Sequence, residues 1–216
     1  MSGPVSVFAL LAGMRGLPVV AIDAVEDAVP LADALAAGGL PAIEVTLRTP
    51  AAFDAIAKLQ KERPKLLIGA GTVTSGAQMK TCAALGVRFA ISPGLTPALL
   101  EIAHELKMPY LPGTATASDV MVGLQHGWSE FKFFPAEAAG GPNMLRSWVG
   151  PFPDCRFCPT GGINPQNAGS YLALPNVVMV GSSWMLPAAA LKAKDWTEIA
   201  GKSRAFTDAL GGIRAC

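Results

Sequence analysis

The sequence predicts an α/β protein, a single (β/α)8 barrel spanning residues 1–216 and preceded by a short N-terminal helix. Three observations carry that expectation. Short β-favouring runs alternate with Ala/Leu-rich helical stretches from Pro18 onward, eight of each. The runs recur every twenty to twenty-five residues or so, the spacing of βα units in a parallel sheet. Polar and glycine-rich residues gather directly after the β-runs, where barrels of this class carry their chemistry. A leucine-rich solenoid has a similar period, but its Leu/Asn consensus is missing. A doubly wound open sheet competes, yet no G-x-G-x-x-G follows the first run.

The elements follow in order. Residues 5–22 are apolar but interrupted by Gly13, Arg15, Gly16 and Pro18, with no basic segment before them. They predict a short amphipathic helix and then a strand rather than an export signal or a membrane span. Strands are expected at 19–22, 42–46, 66–69, 89–91, 109–111, 130–133, 156–158 and 177–180. Helices are expected at 25–37, 51–62, 76–84, 97–107, 118–126, 143–148, 165–174 and from Trp184 towards the C-terminus. Thr49-Pro50, Thr96-Pro97 and Asn164-Pro165 open helices with a cap and a proline, and Gly38-Gly39 and Gly127 close others. No linker, low-complexity run or charge block divides the chain.

Composition narrows the partners. Of the 216 residues 51% are hydrophobic, enough to fill a sizeable core, and 15% are charged, with a net charge of +1. Acids and bases are interspersed, so neither nucleic acid nor an anionic membrane is indicated, and small molecules are the expected partners. A cytoplasmic location is expected, with Cys82, Cys155, Cys158 and Cys216 reduced. The Cys155/Cys158 pair has C-x-x-C spacing without a second pair or a histidine cluster, and Cys158 reads more simply as a small core residue. His104 and His126 fall on helical stretches away from the strand ends. No metal and no cofactor is expected.

The chemistry-bearing residues lie at the strand ends. In Glu130-Phe131-Lys132-Phe133-Phe134-Pro135 a period of two puts Lys132 and Phe134 on one face and Phe131 and Phe133 on the other. By itself Lys132 reads as an edge-strand lysine with a wet amine. On the second strand Glu44, Thr46 and Arg48 share a face, so Glu44 points into the barrel if Val45 packs on the helices. Glu44 and Lys132 are then expected to meet. A buried Lys-Glu pair stabilises a fold poorly once desolvation is counted, so its presence is better explained by chemistry. Burial favours the neutral amine, a nucleophile towards a ketone, and Glu44 beside it can carry protons. Arg48 at the rim, with Thr72 and the amides of Gly69 to Thr72, can grip a planar carboxylate, and the glycines there suggest a close approach to backbone. Thr160-Gly161-Gly162-Ile163 and Gly181-Ser182-Ser183 follow the seventh and eighth strands, where small residues, free amides and a helix N-terminus favour phosphate over two ordinary tight turns.

These segments resemble the bacterial 2-keto-3-deoxy-6-phosphogluconate (KDPG) aldolase and 4-hydroxy-2-oxoglutarate (KHG) aldolase family. The resemblance spans about residues 18–192 and rests on the stretches 44–50, 69–73, 89–94, 131–137, 156–162 and 181–184. It implies a metal-independent class I aldolase, a cytoplasmic homotrimer of (β/α)8 barrels acting on a small 2-keto acid and a phosphorylated aldehyde. By motif it makes Lys132 the Schiff-base lysine and Glu44 the proton shuttle. It makes Arg48 and Thr72 the carboxylate grip and Gly161, Gly162 and Ser183 the phosphate site, with Pro93, Phe134 and Thr160 lining the pocket.

Two departures stand out: Asp23 at the first strand end matches no site residue, and Ser182 stands where relatives usually carry a second glycine. Ser182 adds a donor or narrows the loop. A phosphate-binding barrel isomerase or synthase would share the last two loops without needing Lys132 opposite Glu44, and a catalytically inert binding barrel would keep the loops and form no adduct. Trp148 and Phe152 read equally as a subunit contact or as ordinary packing.

Overall fold

Period-two alternation of buried residues builds the barrel wall. The computed structural model describes residues 4–211, so Cys216 lies outside the described residues. The strands are β1 (Gly16–Val20), β2 (Ala42–Thr46), β3 (Leu67–Gly71), β4 (Phe89–Ile91), β5 (Tyr110–Leu111), β6 (Gly113–Thr114), β7 (Glu130–Phe133), β8 (Arg156–Pro159) and β9 (Val180–Ser182). The helices are α1 (Val7–Leu10), α2 (Ala28–Ala37), α3 (Ala52–Glu62), α4 (Gly76–Ala84), α5 (Pro97–Glu105), α6 (Ala117–Gln125), α7 (Gly141–Trp148), α8 (Ala168–Leu172), α9 (Ala188–Ala193) and α10 (Trp196–Gly211). All strand pairings are parallel, in the order β5-β4-β3-β2-β1-β9 and β6-β7-β8. Bridges from Phe157 to Val177 and from Thr160 to Gly181 join the two sheets, and the ring closes as the expected (β/α)8 barrel.

The expected fifth strand, 109–111, is found as β5 and is followed past Pro112 by a further short strand, β6. Pro112 has no N–H for the ladder, so β5 ends at Leu111; its carbonyl still accepts from Lys132 N–H at 2.9 Å, which docks β7 at the break. The first strand starts three residues earlier than the sequence suggests and runs through Pro18, which pairs with Ser182. Gly16 permits this start, since a Cβ there would lie 2.6 Å from Leu210 and 2.8 Å from Phe206 of α10. The last strand starts three residues later, because Val177 bridges to β8 before the chain reaches β1 at Val180. The expected helix 25–37 opens as a 3-10 turn, and the C-terminal helical stretch is broken at Lys194, whose φ is 55°.

The core has two parts. Outside the barrel, Val45, Ile68, Phe131, Phe133 and Phe157 pack on the helices. Trp148 joins them, edge-on to Phe133 at 5.4 Å and only 4% exposed, so ordinary packing accounts for it. Inside and at the N-terminal end of the strands, Val7, Phe8 and Leu11 pack with Leu17, Phe89, Ile91, Leu111, Cys158 and Met179. Helix α1 thereby stoppers the barrel. Glu130 at the start of β7 holds it there, accepting from the Ser6 hydroxyl and from the N–H groups of Val7 (2.9 Å) and Phe8 (3.1 Å). Among the described residues no helix is long and apolar enough to cross a membrane.

Candidate active site

The C-terminal end of the barrel is open. A cavity of about 390 Å³ is lined there by all ten residues the sequence singles out: Glu44, Arg48, Thr72, Pro93, Lys132, Phe134, Thr160, Gly161, Gly162 and Ser183. Strand alternation delivers them as expected. Phe131 and Phe133 face the helices, while Lys132 and Phe134 face the cavity.

At its floor Lys132 Nζ donates to Glu44 Oε1 at 2.9 Å, with the side chains 6% and 1% exposed. Lys132 Nζ also lies 5.3 Å from the centre of the Phe134 ring, over a face that favours a cation. The glycines of β3 make room for neighbouring side chains rather than for a ligand. A Cβ on Gly71 would sit 2.3 Å from Glu44 Oε1, whereas one on Gly69 would sit 2.1 Å from Cε2 of the Phe89 ring, for which that glycine makes room. Gly69 to Gly71 are also buried in the ladder beside β2, opposite Glu44, Val45 and Thr46, so their amides are not the open donors the sequence suggests.

Thr46 Oγ1 donates to Val20 C=O at 2.8 Å and accepts from Arg48 Nε at 3.1 Å, which leaves the terminal guanidinium nitrogens at the rim. Thr72 lies across the cavity mouth with φ 57°, a strained conformation for a β-branched residue and of the kind that gathers at functional sites. Asp23 does not join them. With β1 ending at Val20, it is Val19 that reaches the cavity, while Asp23 lies in a separate groove with Lys192 and Trp196.

On the far wall, Gly161 and Gly162 have φ values of 105° and 78°. Helix α8 starts only at Ala168, so loop backbone and not a helix N-terminus faces the cavity. Ser182 resolves its two readings as a latch: its buried hydroxyl donates to Ile163 C=O at 2.6 Å and accepts from Trp184 N–H at 3.0 Å. Its proton is committed, and it ties the two loops together. Gly181 is required beside it, because a Cβ there would strike Thr160 Oγ1 at 2.3 Å.

A lysine paired with a carboxylate on a cavity floor, with a guanidinium on one rim and open amides on the other, suits a doubly anionic ketone. Comparison with known proteins agrees. The family model for KDPG and KHG aldolases matches residues 8–201. The chain belongs to the KDPG and KHG aldolase family.

Within that family it is 50% identical over 190 residues to the 2-dehydro-3-deoxy-phosphogluconate aldolase of Pseudomonas aeruginosa, covering 88% of this chain and 86% of the relative. It is likewise 50% identical over 183 residues to the KHG/KDPG aldolase of Escherichia coli, covering 85% and 86%. Among solved structures, the KDPG aldolase of Legionella pneumophila superposes with a TM-score of 0.89 at 48% identity, covering 92% of this chain and 97% of that one. That protein was captured with pyruvate as a covalent carbinolamine.

Several residues of this aldolase-family site were not singled out from sequence. Asn164 lines the cavity, and Asn167 bonds into the loop beside it. Glu137 packs under Gly162 and accepts from the buried Tyr171 hydroxyl, whose acidity is weakened by burial and by that carboxylate. Cys158 sits level with Lys132 on the neighbouring strand; burial pushes its thiol up to about 12, against the pull of the Lys132 charge. Cys82, Cys155 and Cys158 are free thiols. His104 packs edge-on to Trp128 at 6.5 Å, and His126 Nδ1 lies 2.9 Å from Val122 C=O, so neither approaches the cavity. Among the described residues no three His, Cys, Asp or Glu side chains are grouped to hold a metal ion.

Proposed function

We propose that this chain is a class I aldolase that cleaves KDPG reversibly to pyruvate and glyceraldehyde 3-phosphate through a Schiff base on Lys132. The observation that carries the reading is the buried Lys132–Glu44 pair at 2.9 Å on the floor of the cavity. An isomerase or synthase that used only the phosphate loops would have no use for it.

Transfer of a proton from Nζ to the Glu44 carboxylate leaves a neutral amine. Its lone pair adds to the C2 ketone, and the ketone oxygen leaves as water after protonation by the Glu44 system, giving a protonated imine. Removal of the C4 hydroxyl proton breaks the C3–C4 bond; the electron pair flows into the imine, releasing the aldehyde and leaving an enamine. Protonation at C3 and hydrolysis release pyruvate and restore the amine. Glu44 takes part in each proton transfer at the imine, within hydrogen-bond reach of Nζ throughout.

Arg48 and Thr72 hold the substrate carboxylate in this reading, the loop glycines Gly161 and Gly162 with Ser183 hold the phosphate, and Pro93, Phe134 and Thr160 shape the space between. Anchoring both ends fixes the reacting ketone over Nζ, which is how positioning lowers such a barrier. Cleavage of KHG to pyruvate and glyoxylate is an additional activity of the same site, supported by the naming of the Escherichia coli relative. The family resemblance extends the proposal to a homotrimer of single barrel domains working in the cytoplasm without metal or cofactor.

Incubation with pyruvate and borohydride tests the assignment. A reduced adduct is expected at Lys132 and nowhere else, and Lys132→Met should abolish it together with cleavage activity. An adduct at another lysine, or none, would overturn the mechanism.

A further inference from the structure

The turn from Thr160 to Asn164 is held almost entirely by its carbonyl groups. Thr160 C=O accepts from Ala136 N–H at 2.8 Å, and Gly161 C=O accepts from Glu137 N–H at 3.2 Å. Gly162 C=O accepts from the Asn167 carboxamide Nδ2 at 2.9 Å, and Ile163 C=O accepts from Ser182 at 2.6 Å. In a trans peptide the C=O and the following N–H point opposite ways. Pinning the first three carbonyls therefore turns the N–H groups of Gly161, Gly162 and Ile163 to the other side; that of Gly161 belongs to the Thr160–Gly181 bridge, and those of Gly162 and Ile163 have no hydrogen bond to the protein among the described residues. Two successive free amides, those of Gly162 and Ile163, on a cavity wall form a concave anion site made of backbone alone.

Two of those carbonyls are fixed by backbone of the β7 loop and would stay fixed in most variants. Gly162 C=O is different, because a side chain fixes it. Asn167 uses both ends of its amide: Nδ2 holds Gly162 C=O, and Oδ1 accepts from Asn164 N–H at 2.8 Å. The same residue thus sets the peptide whose N–H is free (Ile163) and clamps the next one, whose N–H would otherwise compete. Without it, the peptide between two positive-φ glycines and Ile163 can rotate, presenting a carbonyl oxygen to the cavity in place of an N–H.

We propose that Asn167 is a positioning residue that keeps the Ile163 amide aimed at the substrate phosphate, and that it thereby sets the preference for phosphorylated over unphosphorylated 2-keto-4-hydroxy acids. This rests on reading the loop as the phosphate site. Asn167 is absent from the cavity lining and acts only through the backbone it holds.

The test compares wild type with Asn167→Ala and Asn167→Asp on KDPG and on KHG. Asp keeps the acceptor for Asn164 N–H but loses the donor to Gly162 C=O, so it isolates that bond if the alanine variant does not fold. The KM for KDPG is expected to rise about ten-fold in either variant, the scale of one hydrogen bond, with kcat held within about two-fold and a smaller change in KM for KHG. Binding of inorganic phosphate, measured by calorimetry, should weaken by a similar factor. Equal losses on both substrates, or phosphate binding that does not move, would overturn the proposal. Phosphate binding needs no covalent step, so failure of the Schiff-base reading leaves a different signature: no adduct on wild type, with the phosphate result intact.

Discussion

Two glutamates at opposite ends of the same barrel solve the burial of a carboxylate in opposite ways. Glu130 at the closed end is saturated: the Ser6 hydroxyl and two backbone N–H groups of α1 meet its two oxygens, and it does not line the active-site cavity. Glu44 at the open end is more deeply buried, yet its hydrogen bond among the described residues comes from Lys132 alone, and the pair faces a cavity. Fixed neutral donors have no proton to give up, which suits a joint. A single titratable donor beside open space lets a proton move, which suits chemistry. Burial by itself does not separate the two; the kind of donor does.

The sharpest way to break this contrast is to remove the open-end charge while keeping its shape. Glu44→Gln can still accept from Lys132 but cannot take its proton. A fall in kcat on the order of 10²–10⁴-fold is expected from the loss of a proton carrier, with slower borohydride trapping of pyruvate, measured by steady-state cleavage and by mass spectrometry. Retention of near-normal kcat would place the proton traffic elsewhere and give Glu44 a structural role, as Glu130 has.

The closed end should respond in stability and not in rate. Helix α1 is four residues long, too short to persist without its cap and its packing into the barrel. Glu130→Ala leaves two backbone N–H groups without their acceptor, so a loss of about 2 kcal/mol is expected in urea unfolding, with faster hydrogen exchange in α1. Cleavage kinetics should stay within about two-fold of wild type, since that end touches no substrate. A large kinetic effect would show that the two ends are coupled through the barrel.

This contrast was only half legible in the sequence. Alternation put Lys132 and Glu44 on inward faces because a strand has a fixed period, and loop glycines after the last two strands marked the far wall. Glu130 gave no signal, since its partners lie more than a hundred positions away in α1 and a carboxylate at a strand start looks solvent-exposed. Gly71 signalled a close approach but not to what, and it was Glu44 itself that needed the space. Asn167 fell inside the expected helix 165–174 and drew no notice, because a side-chain bond to Gly162 C=O depends on how the turn folds back. The first strand shifted because it runs through Pro18, whereas Pro112 acted as a proline should and separated β5 from β6.

The smallest effect expected lies between the two ends. Cys158 is level with Lys132 on the ladder, yet its side chain belongs to the apolar cluster that α1 closes. Its thiol is pushed up to about 12 by burial, and that of Cys82, on the buried face of α4, to about 11. Only the thiolate alkylates, so at pH 8 Cys158 should react with iodoacetamide on the order of 10³-fold, and Cys82 on the order of 10²-fold, more slowly than in urea-unfolded protein. Reaction should quicken as pH rises towards those values, the deprotonated fraction growing tenfold per unit. Pyruvate should leave the Cys158 rate unchanged if the cavity floor already excludes water from the barrel centre. Rapid native-state labelling of Cys158 would show that water passes beneath the Lys132–Glu44 pair, and the division between a wet, reactive end and a dry, structural one would have to be redrawn one residue layer lower.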